Sequence, residues 1–403
     1  MRIAFVTPEY VSEENFDGGL SGYLERTARG LVALGQCCVV IVGSDRSERI
    51  IRDGVEIQRV AVRPRWLYVA ERLLGYSVPL AWLWQSWRLN RKLAEIAGAQ
   101  PFDVVQYASY TGTALFRRGK TPAVVRISSV QQLLHAADGA AHNLRRWLYE
   151  WIESLALAKA DALFAPSRLI AGRVAARTGR AVAVVESPWT PATYDLDDAL
   201  YRAALAGKRY LLYFGTLSAL KGLAALADAL PRLLARYPDL HFVAAGKEQL
   251  FQGRGMMEHV RAAAGSAAAR ILYLGKLPRP VLLPVVANAT AVVLPSRMDN
   301  LPNTCIEAMG LGRVVVATRG ASFEQLISNA ENGFLCERDD PDDLLRVLTE
   351  VLALESGVLR MIGQRASLSI ERLRPELVLP ELLRMYENVS ADLGCGVTRA
   401  CGN

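Results

Sequence analysis

Two acidic residues and one lysine have side chains that could bind hydroxyl groups and negative charge. Asp299 and Glu307 stand at the two ends of the segment DNLPNTCIE, and Lys221 precedes Gly222 earlier in the chain. A carboxylate accepts hydrogen bonds from hydroxyl groups, and an ammonium stabilises charge on a phosphate oxygen. Whether these three side chains can bind one ligand depends on the secondary-structure elements that position them.

The residues around the two acids have the pattern of a strand, a helix and a second strand. The apolar run Ala291–Leu294 breaks at a Pro-Ser pair, a helix is predicted at about 304–311, and a second buried strand is predicted at 314–317. This is the βαβ unit of a parallel sheet. Ligands of such sheets bind outside the carboxyl ends of the strands, and the sequence places Asp299 and Glu307 there.

The spacing resembles the signature of glycosyltransferase family 4. Here the signature consists of Asp299 (where the family usually has Glu), seven residues, Glu307 with Ala-Met after it, and a glycine turn into Val-Val-Val-Ala-Thr. The segment GTLSALKG, from Gly215 to Gly222, is similar to the family's G-R-L-x-x-x-K-G element, with Thr216 in place of arginine. The resemblance implies a retaining, nucleotide-sugar-dependent enzyme. It also implies the α/β GT-B fold, two Rossmann-like domains with parallel sheets facing across an inter-domain cleft.

The resemblance also assigns roles to these side chains. Lys221 would stabilise the charge that develops on the leaving diphosphate, Glu307 would bind ribose hydroxyls, and Asp299 would hold hydroxyls of the transferred sugar. These three are the catalytic candidates, and the resemblance implies no protein nucleophile, no metal and no other cofactor. The implied donor-binding residues are Gly19, Gly215, Thr216, Lys221, Leu277, Asp299, Asn300, Leu301, Pro302, Asn303, Thr304 and Glu307.

Both acids also have structural interpretations. The segment from Thr304 to Glu307 has the form of a capping box, in which the glutamate bonds a backbone N–H group. Asp299 could form an Asx-turn. Because Thr216 replaces an arginine, a hydroxyl or another cation such as Arg297 would have to supply the missing charge.

The N-terminal half holds weaker candidates. Gly18-Gly19 opens a predicted helix, where backbone N–H groups can approach an anion, although paired glycines are also ordinary turn residues. Family members commonly have a histidine after the strand that we predict at 123–127. Arg126 and Ser128 occupy that place here, and His135 follows seven residues after Ser128. All three are candidate sugar or acceptor contacts, and a structural role for His135 is the alternative.

Strand and helix signals alternate along the chain, which predicts sheets wrapped by helices. The Pro-punctuated segment 187–191 continues neither a helix nor a central strand, so it is a candidate hinge. We therefore expect domains at 1–190 and 191–374, and the resemblance implies that the first is the acceptor-side domain and the second binds the nucleotide sugar. The resemblance implies that segment 375–403 holds a helix returning to the first domain, followed by a loose tail.

The charge and cysteine content of the sequence indicate which classes of binding partner are compatible with it. The formal net charge of +7 over 403 residues fits an anionic substrate or an anionic membrane surface. Nucleic acid is not expected, because no tight basic run with interleaved aromatics is present. The six cysteines include no C-x-x-C pair, so no zinc site is indicated. The first residues lack the form of a signal peptide and no apolar run could span a bilayer, so we expect a cytoplasmic protein.

Segment 63–92 departs from this plain α/β pattern. It contains six Arg or Lys residues, a single acid, and the aromatics Trp66, Tyr68, Tyr76, Trp82, Trp84 and Trp87. This composition is typical of a helix lying on anionic lipid, and also of a helix pair with tryptophans packed inward. The first interpretation places the protein peripherally on the inner face of the cytoplasmic membrane and fits a lipid-linked acceptor.

These observations favour a retaining glycosyltransferase that moves a sugar from a nucleotide-diphosphate donor to a glycan or lipid-linked acceptor in polysaccharide or glycoconjugate synthesis. One alternative is a GT-B nucleotide-sugar epimerase or hydrolase. The other is a degenerate, non-catalytic binding subunit, suggested by Thr216, Asp299 and the missing histidine.

Overall fold

The structure is a computed structural model, and it describes residues 1–13, 19–73, 79–128, 130–138, 143–191 and 195–393. The chain forms two compact units. The first comprises Met1–Thr190 and the C-terminal part from Leu373, and the second comprises Pro191–Arg372. Each unit has its own largely parallel sheet covered by helices. The predicted α/β class with two Rossmann-like domains is confirmed.

The sheet of the first unit has eight strands and reverses its strand order near the middle. The strands are β1 (Arg2–Thr7), β2 (Cys37–Ser44), β3 (Glu48–Arg52), β4 (Val55–Ala61), β5 (Val104–Ala108), β6 (Ala123–Arg126), β7 (Ala162–Ala165) and β8 (Val182–Val184). Their spatial order is β3-β4-β2-β1-β5-β6-β7-β8, parallel throughout except for the antiparallel pair β3–β4. The helices of this part of the chain are α1 (Gly19–Ala33), α2 (Arg65–Leu73), α3 (Leu80–Ala99), α4 (Gln131–Asp138), α5 (Leu144–Ala158) and α6 (Arg168–Thr178).

The second unit contains a six-stranded parallel sheet and a small hairpin. Its strands are β9 (Arg209–Phe214), β10 (Leu240–Ala245), β11 (Leu250–Phe251), β12 (Arg254–Gly255), β13 (Ile271–Tyr273), β14 (Ala291–Leu294), β15 (Val315–Thr318) and β16 (Phe334–Cys336). Its helices are α7 (Ala199–Ala204), α8 (Leu223–Arg236), α9 (Met256–Ala264), α10 (Arg279–Ala287), α11 (Asn303–Gly310), α12 (Pro341–Ala353) and α13 (Ser356–Ser369). The large sheet has the order β13-β10-β9-β14-β15-β16, and β11 pairs only with β12.

The strand order of the second sheet reverses between β9 and β14. The chain moves outward from β9 to β10 and β13 on one side, and then from β14 to β15 and β16 on the other. Crevices outside the carboxyl ends of such neighbouring strands are the usual ligand sites of open parallel sheets. The topology therefore places a candidate site after Phe214 and Leu294, the last residues of the two central strands.

The C-terminal helix α14 (Pro375–Asp392) packs within the first unit. Its residues Val378, Leu379, Leu382 and Tyr386 belong to the same buried cluster as the strands and helix α1. The Tyr386 hydroxyl donates a hydrogen bond to the side-chain oxygen of Gln106 on β5. This helix therefore contributes to the core of the N-terminal sheet.

Segment 63–92 forms the two helices α2 and α3, and Tyr76 lies outside the described residues. The indole rings of Trp66 and Trp84 meet edge to face at 5.0 Å, so the helices contact each other through aromatic side chains. Trp66 is nevertheless 52% exposed. Both predicted features, inward packing and an exposed aromatic face, thus occur in one segment. None of the described helices has both the length and the apolar character required to cross a bilayer.

Candidate active site

An ion pair joins the loops that follow the two central strands of the second unit. Lys221 Nζ lies 2.6 Å from Asp299 Oδ2. The lysine follows β9 and the aspartate follows β14, so the strand order brings together residues far apart in sequence. Ser296 Oγ donates to the same carboxylate oxygen at 3.3 Å, and the Asn300 N–H donates to Oδ1 at 3.0 Å. The side chains of Lys221 and Asp299 keep 28% and 16% of their surface exposed, so a ligand can reach both.

Gly222 allows the two loops to approach closely. Its φ of +77° is in the left-handed region, and a Cβ built on it would lie 1.7 Å from the Pro295 carbonyl oxygen. The backbone N–H of Arg297 also donates to the Leu220 carbonyl at 2.9 Å. Only a residue without a side chain fits both the conformation and the space. The glycine after Lys221 is therefore required for the lysine to meet Asp299.

We expect Gly222→Ala to weaken both stability and ligand binding. The new Cβ would overlap main chain at Pro295, which cannot move aside as a side-chain tip can, and the left-handed backbone would be strained. Overpacking and strain together should lower the free energy of unfolding by about 2–4 kcal/mol. Thermal denaturation measures this change. Gly207→Ala is the matched control, because Gly207 also has positive φ (+77°) but has nothing within 4 Å of its Cβ position; an equal loss in both variants would contradict the steric explanation.

Glu307 does not act as a capping-box residue. Helix α11 begins at Asn303 with Pro302 in the cap position, so Thr304 lies inside the first turn and is not the N-cap. The Glu307 carboxylate is instead 2.8 Å from Arg279 Nη2, the first residue of α10. Glu307 is 9% exposed, whereas half of the Arg279 side-chain surface is open. The buried Glu307 carboxylate is thus paired with a half-exposed cation that solvent or a ligand can reach.

The segment between Asp299 and the helix has an unusual backbone. Leu301 is buried (2% exposed) yet has φ of +52°, a conformation uncommon for a bulky residue and often found at functional sites. Pro302 follows, and Asn303 and Thr304 supply the first amides of α11. The first-turn amides of a helix and its dipole favour an anion at the helix start.

Gly215 and Thr216 border the start of this helix. A Cβ on Gly215 would lie 3.5 Å from Thr304 Cγ2, so the loop after β9 runs beside the first turn of α11. The Thr216 carbonyl accepts a hydrogen bond from the Tyr213 hydroxyl at 2.6 Å. Leu277, half-buried, lies just before α10 and two residues from Arg279. The suggested compensating cation Arg297 forms a partly exposed ion pair with Asp339 at 2.9 Å.

In the first unit, Arg126 is buried at the carboxyl end of β6. Its guanidinium lies 3.7 Å from the centre of the Tyr23 ring, and Nη2 donates to Ser187 Oγ at 3.0 Å. Burial lowers the pKa of Arg126, but arginine stays protonated in proteins, so this is a buried cation. No carboxylate among the described residues pairs with it. Ser128 Oγ lies 3.4 Å from Ser109 Oγ.

Gly19 and His135 occupy separate places in the first unit. Gly19 is the exposed first residue of α1, and Gly18 lies outside the described residues. His135 is on α4, with Nδ1 2.8 Å from Glu150 Oε1 on α5. The contact joins two helices, which favours the structural interpretation of His135.

Glu153, one turn beyond Glu150, is almost completely buried. One carboxylate oxygen accepts from the Gln131 backbone N–H at 2.7 Å, and the other has no partner among the described residues. Burial raises the pKa of Glu153 to about 8, with a smaller contribution from Glu150, against the opposing effects of the Gln131 N–H and Arg177. Glu153 therefore keeps its proton in the folded protein at neutral pH.

We expect Glu153→Gln to remove a pH dependence of stability. The folded protein keeps the proton up to about pH 8, whereas the unfolded chain loses it near the ordinary glutamate value, about 4.3. The wild type should lose stability as pH rises between these values, by at most about 1.4 kcal/mol per pH unit. Melting temperatures measured from pH 5 to pH 8 against those of Glu387→Gln, an exposed control, test this; parallel curves for wild type and Glu153→Gln would contradict it.

The structure thus brings Lys221 and Asp299 into contact and places Gly215, Thr304 and Glu307 on the elements beside them. Arg126, Ser128, His135 and Gly19 belong to the other unit. Arg279 was not among the residues predicted from the sequence. Its available signal was an Arg-Pro pair two residues after the donor-binding candidate Leu277, since proline is common in the first turn of a helix.

Comparison with known proteins gives independent information on the family. Residues 18–189 match the family model of the glycosyl transferase 4-like domain, and residues 208–353 match that of glycosyl transferases group 1. The phosphatidyl-myo-inositol mannosyltransferase of Mycolicibacterium smegmatis is 31% identical over 179 residues. That match covers 44% of this chain and 43% of the relative, so the chain spans less than half the length of this relative.

Two solved structures share the fold. Sucrose-phosphate synthase from Thermosynechococcus elongatus superimposes with a TM-score of 0.75 at 16% identity, covering 97% of this chain and 100% of that one. The Anabaena protein HepE in complex with UDP and glucose gives a TM-score of 0.67 at 16% identity, covering 96% and 99%. The glycosyl transferase 4-like model matches the N-terminal part of the chain, and the group 1 model matches the part that contains Lys221, Asp299 and Glu307. The chain therefore belongs to glycosyltransferase family 4 and has the GT-B class of fold.

Proposed function

We propose that this protein transfers a sugar from a nucleotide-diphosphate donor to a glycan or lipid-linked acceptor. The observation that carries the proposal is the Lys221–Asp299 pair of 2.6 Å at the strand-order reversal of the second sheet. The amino end of α11 and the buried Glu307 carboxylate accompany it. A cation for the diphosphate and two acids for hydroxyl groups match the chemical parts of a nucleotide sugar. The bound UDP and glucose of HepE support this donor class.

In this proposal the three side chains act by binding and electrostatics. Lys221 leaves Asp299 for the diphosphate, where its charge is worth most as the sugar–phosphate bond breaks. The first amides of α11 add to this stabilisation. Asp299 then accepts hydroxyls of the sugar, and Glu307 exchanges Arg279 for the ribose. Transfer proceeds with retention and without a metal ion, the leaving diphosphate taking the acceptor's proton.

A donor screen followed by product analysis tests the proposal. Thermal shifts with UDP-, GDP- and ADP-sugars identify the donor, and the product formed with a glycan or lipid acceptor is examined by NMR. We expect the sugar to keep its anomeric configuration. Donor consumption without an acceptor would favour the epimerase or hydrolase alternative, and binding without turnover would favour a non-catalytic subunit.

We also propose that the acceptor is reached at an anionic membrane. The aromatic surface consists of exposed apolar residues on two helices of the first unit: Trp66, Tyr68, Val69 and Leu73 on α2, and Leu144, Trp147, Trp151 and Leu155 on α5. Helix α3 links them, since Trp66 contacts Trp84 and Trp82 meets Tyr149 of α5 at 4.5 Å. Trp and Tyr flanked by arginine are typical of interfacial helices. This location would place the protein peripherally on the inner face of the cytoplasmic membrane, and the lipid acceptor named for the mannosyltransferase relative supports it.

A further inference from the structure

We propose that a basic groove on the first unit binds the phosphate head group of an anionic lipid. The groove lies between helix α3 and the β3–β4 hairpin and has a volume of about 420 Å³. This is within the range of small-ligand sites, about 300–1,000 Å³. It lies wholly within the first unit, whereas Lys221, Asp299 and Glu307 belong to the second.

Cations dominate the lining of the groove. Helix α3 contributes Arg88, Arg91 and Lys92, which are three and four residues apart and therefore share one helix face. The hairpin contributes Arg49 and Arg59. The lining acids are Glu48 and Glu95, so positive charge exceeds negative charge in the groove.

Two of the lining cations, Arg88 and Arg91, form no direct ion pair with an acid in the described part of the chain. Arg59 binds Glu13 at 2.8 Å and also contacts Glu48, Lys92 binds Glu95 at 2.8 Å, and Arg49 binds Glu56 at 3.0 Å. Arg88 donates to the Ala61 carbonyl at 3.2 Å. Glu95, which is bound by Lys92, attracts Arg91 without forming a direct ion pair with it.

Arginines that form no direct ion pair with an acid can bind a phosphate group. The planar guanidinium binds two phosphate oxygens at once, and such charge-assisted bonds are among the strong ones. Arg88 and Arg91 stand one helical turn apart on the wall of the groove, so both can contact one phosphate group.

The position of these arginines favours a lipid over a free phosphate. The Arg88 guanidinium lies 5.9 Å from the ring centre of Trp84, and that of Arg91 lies 5.4 Å from Trp87. Trp84 in turn contacts Trp66 of the aromatic surface at 5.0 Å. Indole rings sit at the head-group level of a bilayer. A lipid whose chains lie against the aromatic surface would therefore place its phosphate at the groove.

The inference rests on the proposed membrane docking but not on sugar transfer. Its test uses the full chain and co-sedimentation with vesicles of three parts phosphatidylcholine to one part phosphatidylglycerol. Arg88→Gln with Arg91→Gln removes the charges of these two arginines. Arg118→Gln with Lys120→Gln is the matched control, because both residues are exposed loop cations of the same unit and the net charge changes equally. Calorimetric titration with glycerol 3-phosphate forms a second arm.

We expect the Arg88/Arg91 double variant to lose vesicle binding about 30-fold, and the control to lose less than about threefold. Arg88→Lys with Arg91→Lys should still lose binding severalfold, because lysine keeps the charge without the bidentate geometry. Equal losses in the glutamine variant and the control would overturn the groove site. Tight glycerol 3-phosphate binding that depends on the two arginines, with vesicle binding unchanged, would overturn the lipid assignment.

The experiments distinguish a failure of lipid binding at the groove from a failure of the proposed function. Trp66→Ser with Trp147→Ser should abolish vesicle binding if the aromatic surface docks at all. Lys221→Ala should leave vesicle binding unchanged whatever happens to transfer. If the wild-type protein does not co-sediment with the vesicles, both the docking proposal and this inference are overturned. The proposal on the sugar donor is not affected by that result.

Discussion

Lys221→Ala is expected to lower the turnover number for sugar transfer at least about 100-fold. The lysine is the cation at the strand-order reversal, 2.6 Å from Asp299, and in the proposed mechanism it stabilises charge that appears only as the donor bond breaks. Such an interaction affects turnover more than donor affinity. Steady-state kinetics with the donor identified by the thermal-shift screen measures the effect.

The melting temperature should change little in the same variant. The Lys221–Asp299 pair is partly exposed, and exposed ion pairs contribute only about 0–1 kcal/mol. Lys208→Ala, at an exposed position just before β9, is the control for removing a lysine from this unit. Lys221→Arg should recover part of the activity, since it restores the charge. Full activity in Lys221→Ala would remove the central residue of the proposed site.

Glu307→Gln is expected to reduce the efficiency of transfer by about 100-fold, through weaker donor binding. The variant keeps the shape of the side chain but loses the charge that accepts two hydroxyl hydrogen bonds at once. Because ribose binding occurs before and during the reaction, the KM for the donor should rise together with a loss of turnover. Glu331→Gln, an exposed residue of the same unit, serves as the control.

The structural alternative for Glu307 predicts a different result. If its main task were to hold α10 through Arg279, then Arg279→Gln should lower the melting temperature as much as Glu307→Gln does. The proposed function predicts that Arg279→Gln is milder, since half of the arginine's side-chain surface is exposed. A double-variant cycle of the two substitutions separates their coupling from ligand binding. Unfolding of Glu307→Gln without ligand would contradict the functional role.

Local sequence patterns correctly predicted most of the strands and helices around the candidate site. The strand at Ala291–Leu294 appears as predicted, and the predicted helix at about 304–311 is found at Asn303–Gly310. Continuous apolar runs mark strands that are buried on both faces, so these elements are easy to find. Strand β3 (Glu48–Arg52) was missed because it is a mostly exposed edge strand in which three of the five residues are charged, so it lacks the apolar run of a buried strand.

Local sequence patterns did not indicate side-chain contacts between residues that are remote in sequence. The capping box at Thr304 was a plausible local pairing, but the helix starts one residue earlier and Glu307 contacts Arg279, which is remote in sequence. Arg297, the suggested substitute cation, pairs with Asp339, which the sequence pattern did not indicate. Arg126, a candidate sugar or acceptor contact, packs against Tyr23, which is remote in sequence. Each outcome depended on a partner that no local pattern specifies.

The sequence alone determined the parallel α/β architecture, the family signature and the three residues proposed to bind the donor, because apolar periodicity and motif spacing are local properties. Tertiary structure decided which of these residues meet. The order of the strands puts β9 beside β14, and a bare glycine at 222 lets the loops after them touch, so that Lys221 reaches Asp299. Tertiary structure also decided that Arg88 and Arg91 line one groove and that no described acid forms a direct ion pair with them, since charge compensation depends on which side chains the fold places within a few ångströms.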